Sequence, residues 1–211
     1  MSQQLKNGAA RILPIQQTRI SYEEFLQTDL EDNHVEWVDG RIVQMAPVSN
    51  EYQGIRGFLF SLLQVYVEVH DLGVVLDDPF QMKASPTLPG RAPDIQFISK
   101  RNLSRLKKNH LEGPADLIIE IVSPGSRSVD REDKYHEYEK GGVREFWLLD
   151  PERKQAEFFI LGRDRAYRPA KLEQEHTFRS SVLKGLWIDV RWLWMRPRPS
   201  VIDILKRWNL V

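Results

Sequence analysis

The sequence predicts a mixed fold, α/β or α+β in class, in which helices pack on a central β-sheet. Two segments, residues 93–98 and 117–122, are apolar almost throughout, which is typical of strands buried on both faces. From Asn50 to His70, apolar residues recur at the three- and four-residue spacing of an amphipathic helix. The order of elements is a helix, three strands, a helix and a further strand, and it favours a sheet flanked by helices.

The N-terminal part divides into an irregular segment and a short helix. Residues 1–17 show little periodicity and are expected to form a loose leader, whereas residues 18–211 fit a single domain. Ser21 and Glu24 have the spacing of a capping box, in which each side chain accepts a hydrogen bond from the other residue's backbone N–H. We therefore expect a short helix that begins after Ser21 and fades near Leu30.

A tight hairpin is expected next, between residues 35–38 and 41–45. The dipeptide Asp39-Gly40 joins these two segments and tolerates the positive φ angles that such a turn requires. Glu36 lies on the first arm of this hairpin.

Strand and helix signals continue to the end of the chain. The expected elements are a strand at residues 73–83, a proline-rich connection at 85–90, the strands with Asp94 and Glu120, a polar helix at 130–140 closed by Gly141-Gly142, a strand at 143–149, a hairpin formed by 154–161 and 166–172, and a last helix capped by Ser200. The aromatic run at residues 186–194 is interpreted first as core, with base stacking or a dimer contact as the alternative.

Composition limits the classes of function. The chain has 30 basic and 30 acidic residues, so binding to nucleic acid depends on a local patch rather than on global attraction. The best candidate is a basic stretch formed by Arg101, Arg105, Lys107, Lys108 and His110, for which a solvated loop is the simpler interpretation. Because it lies between residues 93–98 and 117–122, the alternative expectation is that it flanks the acids of these two strands and contacts phosphates. The sequence has no cysteine, secretory signal or long uncharged apolar run, which indicates a soluble cytoplasmic protein without a membrane segment.

Two carboxylates stand out because they occur in apolar strands. Glu120 shares its strand face with Ile118 and Val122, and Asp94 begins the preceding apolar strand. A carboxylate removed from water without a partner costs several kcal/mol or takes up a proton, so these groups need compensation. Together they predict a divalent-metal site at neighbouring strand ends. The alternatives are a turn or cap for Asp94 and a buried, hydrogen-bonded carboxyl for Glu120.

Five motifs then occur in a specific order along most of the chain. They are Glu36-Trp37-Val38-Asp39-Gly40, Pro93-Asp94, the run from Pro114 through Glu120 to Pro124, Asp130 with Lys134, and the run from Gly142 through Trp147 to Asp150-Pro151. In this order they resemble the PD-(D/E)xK nuclease superfamily, and specifically the bacterial Uma-two family of predicted restriction endonucleases.

The resemblance implies a restriction-endonuclease-like core, with an N-terminal helix and hairpin and a C-terminal hairpin added to it. It also implies a Mg²⁺-dependent endonuclease that hydrolyses DNA phosphodiester bonds, with Mn²⁺ as a substitute metal. Asp94 and Glu120 would hold the ion, and a nearby lysine would position or activate water. A homodimer is expected if the enzyme cuts both strands. The alternative is a catalytically inactive nucleic-acid-binding or interaction module on the same fold.

The expected lysine is missing from its usual place. The superfamily signature puts it two residues after the glutamate, where this chain has Val122. Lys134 on the following polar helix is the proposed substitute, since a long ammonium side chain can reach a strand end from an adjacent helix. The alternative is an exposed ion pair with Asp130, four residues earlier, which is worth only a few tenths of a kcal/mol.

Two further positions are compared with the family. Glu36 is a candidate third catalytic carboxylate, because the family carries an acid at this point of its first hairpin, although it could equally be a solvated strand residue. Tyr52 lies near the start of the long helix, where family members often have a histidine. The phenol can still donate a hydrogen bond.

Overall fold

The computed structural model describes residues 11–12, 19–28, 35–45, 47–123 and 129–211. The α-helices in this part of the chain are α1 (Tyr22–Gln27), α2 (Asn50–Val69), α3 (Lys134–Gly141) and α4 (Val201–Arg207). The strands are β1 (Arg11–Ile12), β2 (Val35–Val38), β3 (Arg41–Gln44), β4 (Gly73–Asp77), β5 (Gln81–Lys83), β6 (Gly90–Arg91), β7 (Ile95–Ser99), β8 (His110–Glu112), β9 (Leu117–Ile121), β10 (Glu145–Asp150), β11 (Gln155–Leu161), β12 (Tyr167–Pro169), β13 (Thr177–Arg179) and β14 (Trp187–Asp189).

These strands form two mixed sheets and one small ribbon. The central sheet has the order β12-β11-β10-β9-β7-β4, in which β9 runs parallel to β10 and antiparallel to β7. The other large sheet has the order β1-β3-β2-β6-β5-β8, and β13 pairs with β14. The predicted fold class, a mixed sheet flanked by helices, is confirmed. Among the described helices, none is long and apolar enough to cross a membrane.

Strand β9 is buried on both faces, as its apolar sequence predicts. Leu117, Ile119 and Ile121 belong to the apolar cluster that includes α2. Ile118 and Val122 belong to the cluster on the opposite face, which contains Tyr138 of α3 and also Met82 of β5. Full burial of one such aliphatic side chain contributes roughly 1.5–3 kcal/mol, so both helices are held firmly against the sheet. The same alternation turns Glu120 toward α3.

The N-terminal elements follow their local signals. Ser21 Oγ accepts from Glu24 N at 3.1 Å, and Glu24 Oε2 accepts from Ser21 N at 2.7 Å, so the capping box is present. The hairpin turn has φ angles of +50° at Asp39 and +82° at Gly40. Helix α1 ends at Gln27, and Leu30 lies outside the described residues.

The expected leader is only partly described. Its residues 11–12 form strand β1, which pairs antiparallel with β3, and the remainder of residues 1–17 lies outside the described part of the chain.

One expected strand is in fact two. Residues 73–83 divide into β4, at the edge of the central sheet, and β5, in the other sheet. Between them Asp78 and Pro79 form a turn, and Phe80 N donates to Asp77 O at 3.0 Å. Proline has no N–H to donate to a strand partner, which explains why the expected strand at residues 73–83 is interrupted here.

The C-terminal aromatic run packs in the core, as its first interpretation predicts. Leu186, Ile188 and Trp192 are buried in the cluster that contains α2. The segment at Ser180 and Ser181, just before the aromatic run, is held by Glu145 of β10. The buried carboxylate of Glu145 accepts hydrogen bonds from Ser180 Oγ at 2.8 Å and from Ser181 N at 2.7 Å.

The basic stretch lies far from Asp94 and Glu120, so the expectation that it flanks them is wrong. It follows β7, whereas Asp94 precedes that strand. Arg101 pairs with Asp116 at 3.2 Å, just before β9 begins. Glu120 comes four residues later, which corresponds to about 13 Å along an extended strand. Arg101 and Arg105 therefore lie at the opposite end of the central sheet, beside Asp116 and Pro114, and His110 begins β8 of the other large sheet.

Candidate active site

Asp94 and Glu120 are neighbours across two antiparallel strands. Ile95 of β7 lies opposite Ile119 of β9, so extending this register by one position places Asp94 opposite Glu120. Side chains that face each other in this way are about 5 Å apart at their Cβ atoms. Asp94 Oδ2 also accepts a hydrogen bond of 2.5 Å from the backbone N–H of Ile121. The structure thus brings together the two acids singled out in the sequence.

Tyr52 holds the second oxygen of Asp94. Its backbone N–H donates to Ser49 Oγ at 3.1 Å at the start of α2, and its hydroxyl donates to Asp94 Oδ1. Burial raises the pKa of Tyr52, and the charges of Asp94 and Glu120 raise this pKa further. The phenol is therefore protonated at neutral pH and acts as a hydrogen-bond donor, the chemistry that the sequence indicates for this position.

Helix α3 supplies two side-chain partners of Glu120. Lys134 Nζ donates to Glu120 Oε2 at 3.0 Å, and the Tyr138 hydroxyl donates to Oε1 at 2.6 Å. The two donors are four residues apart and therefore share one face of the helix. Lys134 is only 2% exposed, so it is a buried ion-pair partner of the strand carboxylate. The side chain of Asp130, the partner in the alternative interpretation, lies outside the described residues.

Glu36 is also part of this buried charge group. Its Oε1 lies 3.4 Å from Lys134 Nζ, and its Oε2 accepts from Arg91 Nη1 at 2.8 Å. Glu36 is 1% exposed, which excludes the interpretation as a solvated strand residue. Burial by itself raises the pKa of Glu36, but Lys134 and Arg91 outweigh that effect and leave the pKa below its usual value. Glu36 therefore stays ionised as the second anion beside Lys134.

Arg91 completes the group from the other sheet. Its Nε and Nη2 donate to the two oxygens of Glu137 at 2.7 Å each, while Nη1 contacts Glu36. Sequence reasoning missed Arg91, Glu137 and Tyr138. A signal existed for Tyr138, which follows Lys134 by four residues. Arg91 lies in a loop-like segment and carries no comparable pattern.

Asp94 and Glu120 could hold one divalent ion that keeps most of its water ligands. Asp94 and Glu120 offer hard carboxylate oxygens, the type of ligand that Mg²⁺ prefers. Among the described residues, no group of three or more His, Cys, Asp or Glu side chains could hold a metal. Mg²⁺ commonly binds through one or two carboxylates and retains several waters, so two ligands suffice.

Val122, at the usual lysine position, has no role in this polar group. Its side chain packs in the apolar cluster with Tyr138, and its N–H donates to Leu149 O at 2.7 Å.

Comparison with known proteins gives a family for this arrangement. The model of the family Uma2, described as "Putative restriction endonuclease", matches residues 22–191. The chain belongs to the Uma2 family. The matched region includes Glu36, Asp94, Glu120 and Lys134, so all four candidate residues lie within the family's shared domain.

A solved structure shares the fold of this Uma2 protein. It is the crystal structure of a putative nuclease belonging to DUF820 from Anabaena variabilis, with a TM-score of 0.67 and 17% sequence identity. The alignment covers 83% of this chain and 97% of the other. No functionally curated protein matches the chain significantly. The comparisons thus establish the family and a nuclease-type fold.

Proposed function

We propose that this Uma2 protein is a Mg²⁺-dependent endonuclease that hydrolyses DNA phosphodiester bonds. The observation that supports it best is the buried contact of 3.0 Å between Lys134 and Glu120, with Asp94 on the adjacent strand. A lysine that served only to solvate the helix surface would be exposed, whereas Lys134 is buried. Two carboxylates can hold the metal ion, and an ammonium group can stabilise negative charge that develops on the attacked phosphate.

Asp94 and Glu120 would hold the ion, which when bound neutralises charge on the attacked phosphate. Tyr52 and Tyr138 orient these carboxylates by donating to one oxygen of each. Lys134 would direct the attacking water and donate a hydrogen bond toward the phosphate as negative charge develops there. Glu36 contacts the ammonium as a second carboxylate, with Oε1 at 3.4 Å from Lys134 Nζ. Positioned groups of this kind typically contribute a hundredfold or more in rate.

The proposal includes a cytoplasmic location and a homodimer, since cutting both strands of a duplex calls for two sites. Mn²⁺ should replace Mg²⁺, because it accepts the same oxygen ligands. The basic stretch has no part in this proposal.

Cleavage of supercoiled plasmid in Mg²⁺, Mn²⁺ or EDTA tests the proposed activity. We expect nicked and linear products only with metal, and none from Asp94→Asn or Glu120→Gln. Asp116→Asn is the matched control, because Asp116 is also buried beside β9 but lies at its other end. Equal cleavage by Asp94→Asn and by the parent would refute the proposed site.

Calorimetric titration with Mn²⁺ gives an independent test of the ion site. We expect binding to the parent and to Asp116→Asn, and its loss in Asp94→Asn and in Glu120→Gln. Metal binding without cleavage of any DNA would favour the catalytically inactive module instead.

A further inference from the structure

Arg91 connects helix α3 to strand β2, the sheet neighbour of its own strand β6, through one buried guanidinium. It lies on β6 and is 5% exposed. One edge of the guanidinium binds Glu36 of β2, and the other binds Glu137 of α3 through two hydrogen bonds of 2.7 Å. The planar fork of arginine suits this three-bond arrangement, which the ammonium group of lysine cannot reproduce. A residue so expensive to bury needs a structural or functional reason.

Both ends of this connection lead to Lys134. Glu36, which Arg91 fixes at Oε2, contacts Lys134 Nζ through Oε1 at 3.4 Å. Glu137 lies three residues after Lys134, so the grip on Glu137 fixes the helical turn that carries the lysine. The first path sets the position of the ammonium group and the second sets the position of its Cα. A lysine side chain has four rotatable carbon bonds and loses its placement easily when neither end is held.

We infer that Arg91 is a positioning residue that places Lys134 for catalysis, acting through Glu36 and Glu137. This inference rests on the proposed nuclease function. Arg91 does not touch Asp94 or Glu120 through any hydrogen bond or ion pair described above, so its loss should spare the ion site. The effect should fall on kcat, because a displaced ammonium weakens the transition state more than it weakens substrate binding.

A kinetic double-mutant cycle distinguishes positioning from a merely structural role. The variants are Arg91→Met, Lys134→Met and the double variant, assayed for plasmid cleavage under saturating Mg²⁺ at a temperature where all are folded. We expect Arg91→Met to lower kcat about ten- to a hundredfold, as loss of an orienting partner typically does, with KM and Mn²⁺ affinity unchanged. In the Lys134→Met background the same change should have no further effect on kcat. An equal loss in both backgrounds would show that Arg91 does not act through Lys134.

Arg144→Met is the matched control for this cycle. Arg144 also pairs with a buried carboxylate, Asp116, at 3.5 Å, but at the far end of β9. The Arg144→Met variant should retain the kcat of the parent. If Arg91→Met does not fold, Glu137→Gln tests the same connection, because it weakens the grip on α3 and leaves Arg91 beside Glu36. The same non-additivity with Lys134→Met is expected, and full additivity would overturn the inference.

A second readout needs neither metal nor DNA. In protein labelled with ¹³C at lysine Cε, Arg91→Met should shift and broaden the Lys134 resonance, whereas Arg144→Met should leave it in place. Arg91→Lys should restore the resonance only in part, since it keeps the charge but not the fork. An unaltered resonance in Arg91→Met would overturn the inference. Failure of the parent to cleave any DNA would instead refute the proposed function alone.

Discussion

Replacing Lys134 with methionine is expected to destabilise the fold strongly, because this lysine is buried between two acids. Methionine preserves most of the aliphatic stem and removes the ammonium, leaving Glu120 and Glu36 without a shared cation. Removing one partner of a buried ion pair typically costs about 3–5 kcal/mol. The cost for an exposed helix pair is a few tenths of a kcal/mol. A domain of this size has a total stability of about 5–15 kcal/mol, so the variant loses a large share of it.

Urea unfolding followed by tryptophan fluorescence measures this change, and Trp147 in the core is a suitable reporter. Lys140→Met is the control, since Lys140 is exposed on the same helix and should change the free energy of unfolding by about 0.5 kcal/mol or less. Adding Mn²⁺ should recover more stability in Lys134→Met than in the parent. Without the ammonium of Lys134 beside it, Glu120 should bind the metal more tightly. A ligand that binds the native state stabilises it by mass action.

A loss below about 1 kcal/mol in Lys134→Met, equal to that of Lys140→Met, would contradict a buried ammonium between the two acids. The expected instability also affects how activity is interpreted. Loss of cleavage in a Lys134 variant is informative only at a temperature and urea concentration where unfolding curves show that it is folded.

Three other changes have defined outcomes. Tyr52→Phe removes the donor to Asp94 and should weaken Mn²⁺ binding about 10–100-fold in a calorimetric titration, and unchanged affinity would show that the hydroxyl does not orient this ligand. Asp116→Asn should lower the free energy of unfolding by about 2 kcal/mol at pH 7. Although burial raises the pKa of Asp116, hydrogen bonds from Asn102 and Ser99 and from Arg101 hold this pKa below its usual value. The ionised group therefore stabilises the fold above about pH 4, and its contribution disappears as the pH falls through the folded-state pKa. A difference from the parent that stays constant between pH 7 and pH 3 would contradict this assignment. Val122→Lys in the Lys134→Met background should partly restore plasmid cleavage, because residue 122 shares a strand face with Glu120, and no recovery would place the required ammonium elsewhere.

The central part of the site was predictable because its signals are local. Alternation along residues 117–122 gives the direction of Glu120, and Asp94 stands at the start of the other apolar segment, so neighbouring strand ends bring the two acids together. The two apolar strands and the amphipathic helix determine the fold class in the same way. Such patterns extend over a few residues and need no knowledge of distant partners.

The surrounding charge network was not predictable because its partners are far apart in sequence. Arg91 contacts Glu36 and Glu137 across 55 and 46 residues, and nothing near Arg91 in the chain indicates either contact. The expectation that the basic stretch flanks Asp94 and Glu120 was wrong for a related reason. Its charge density is evident in the sequence, but which end of the sheet it occupies depends on the direction of β7 and β9. The division of residues 73–83 between two sheets likewise depends on pairing with strands that occur later in the chain.

The position of Lys134 on a helix makes assembly of the site depend on how that helix docks. A lysine two residues after Glu120 would belong to the same strand as the glutamate and would be carried by the central sheet. Here the ammonium arrives with α3, which is attached through Tyr138, Glu137 and Lys134 itself. Local opening that separates α3 from the sheet would dismantle the site while leaving the sheet intact. Amide hydrogen exchange in α3 should therefore slow when metal and DNA bind, and any partner that captures the detached helix would act as an inhibitor without entering the site.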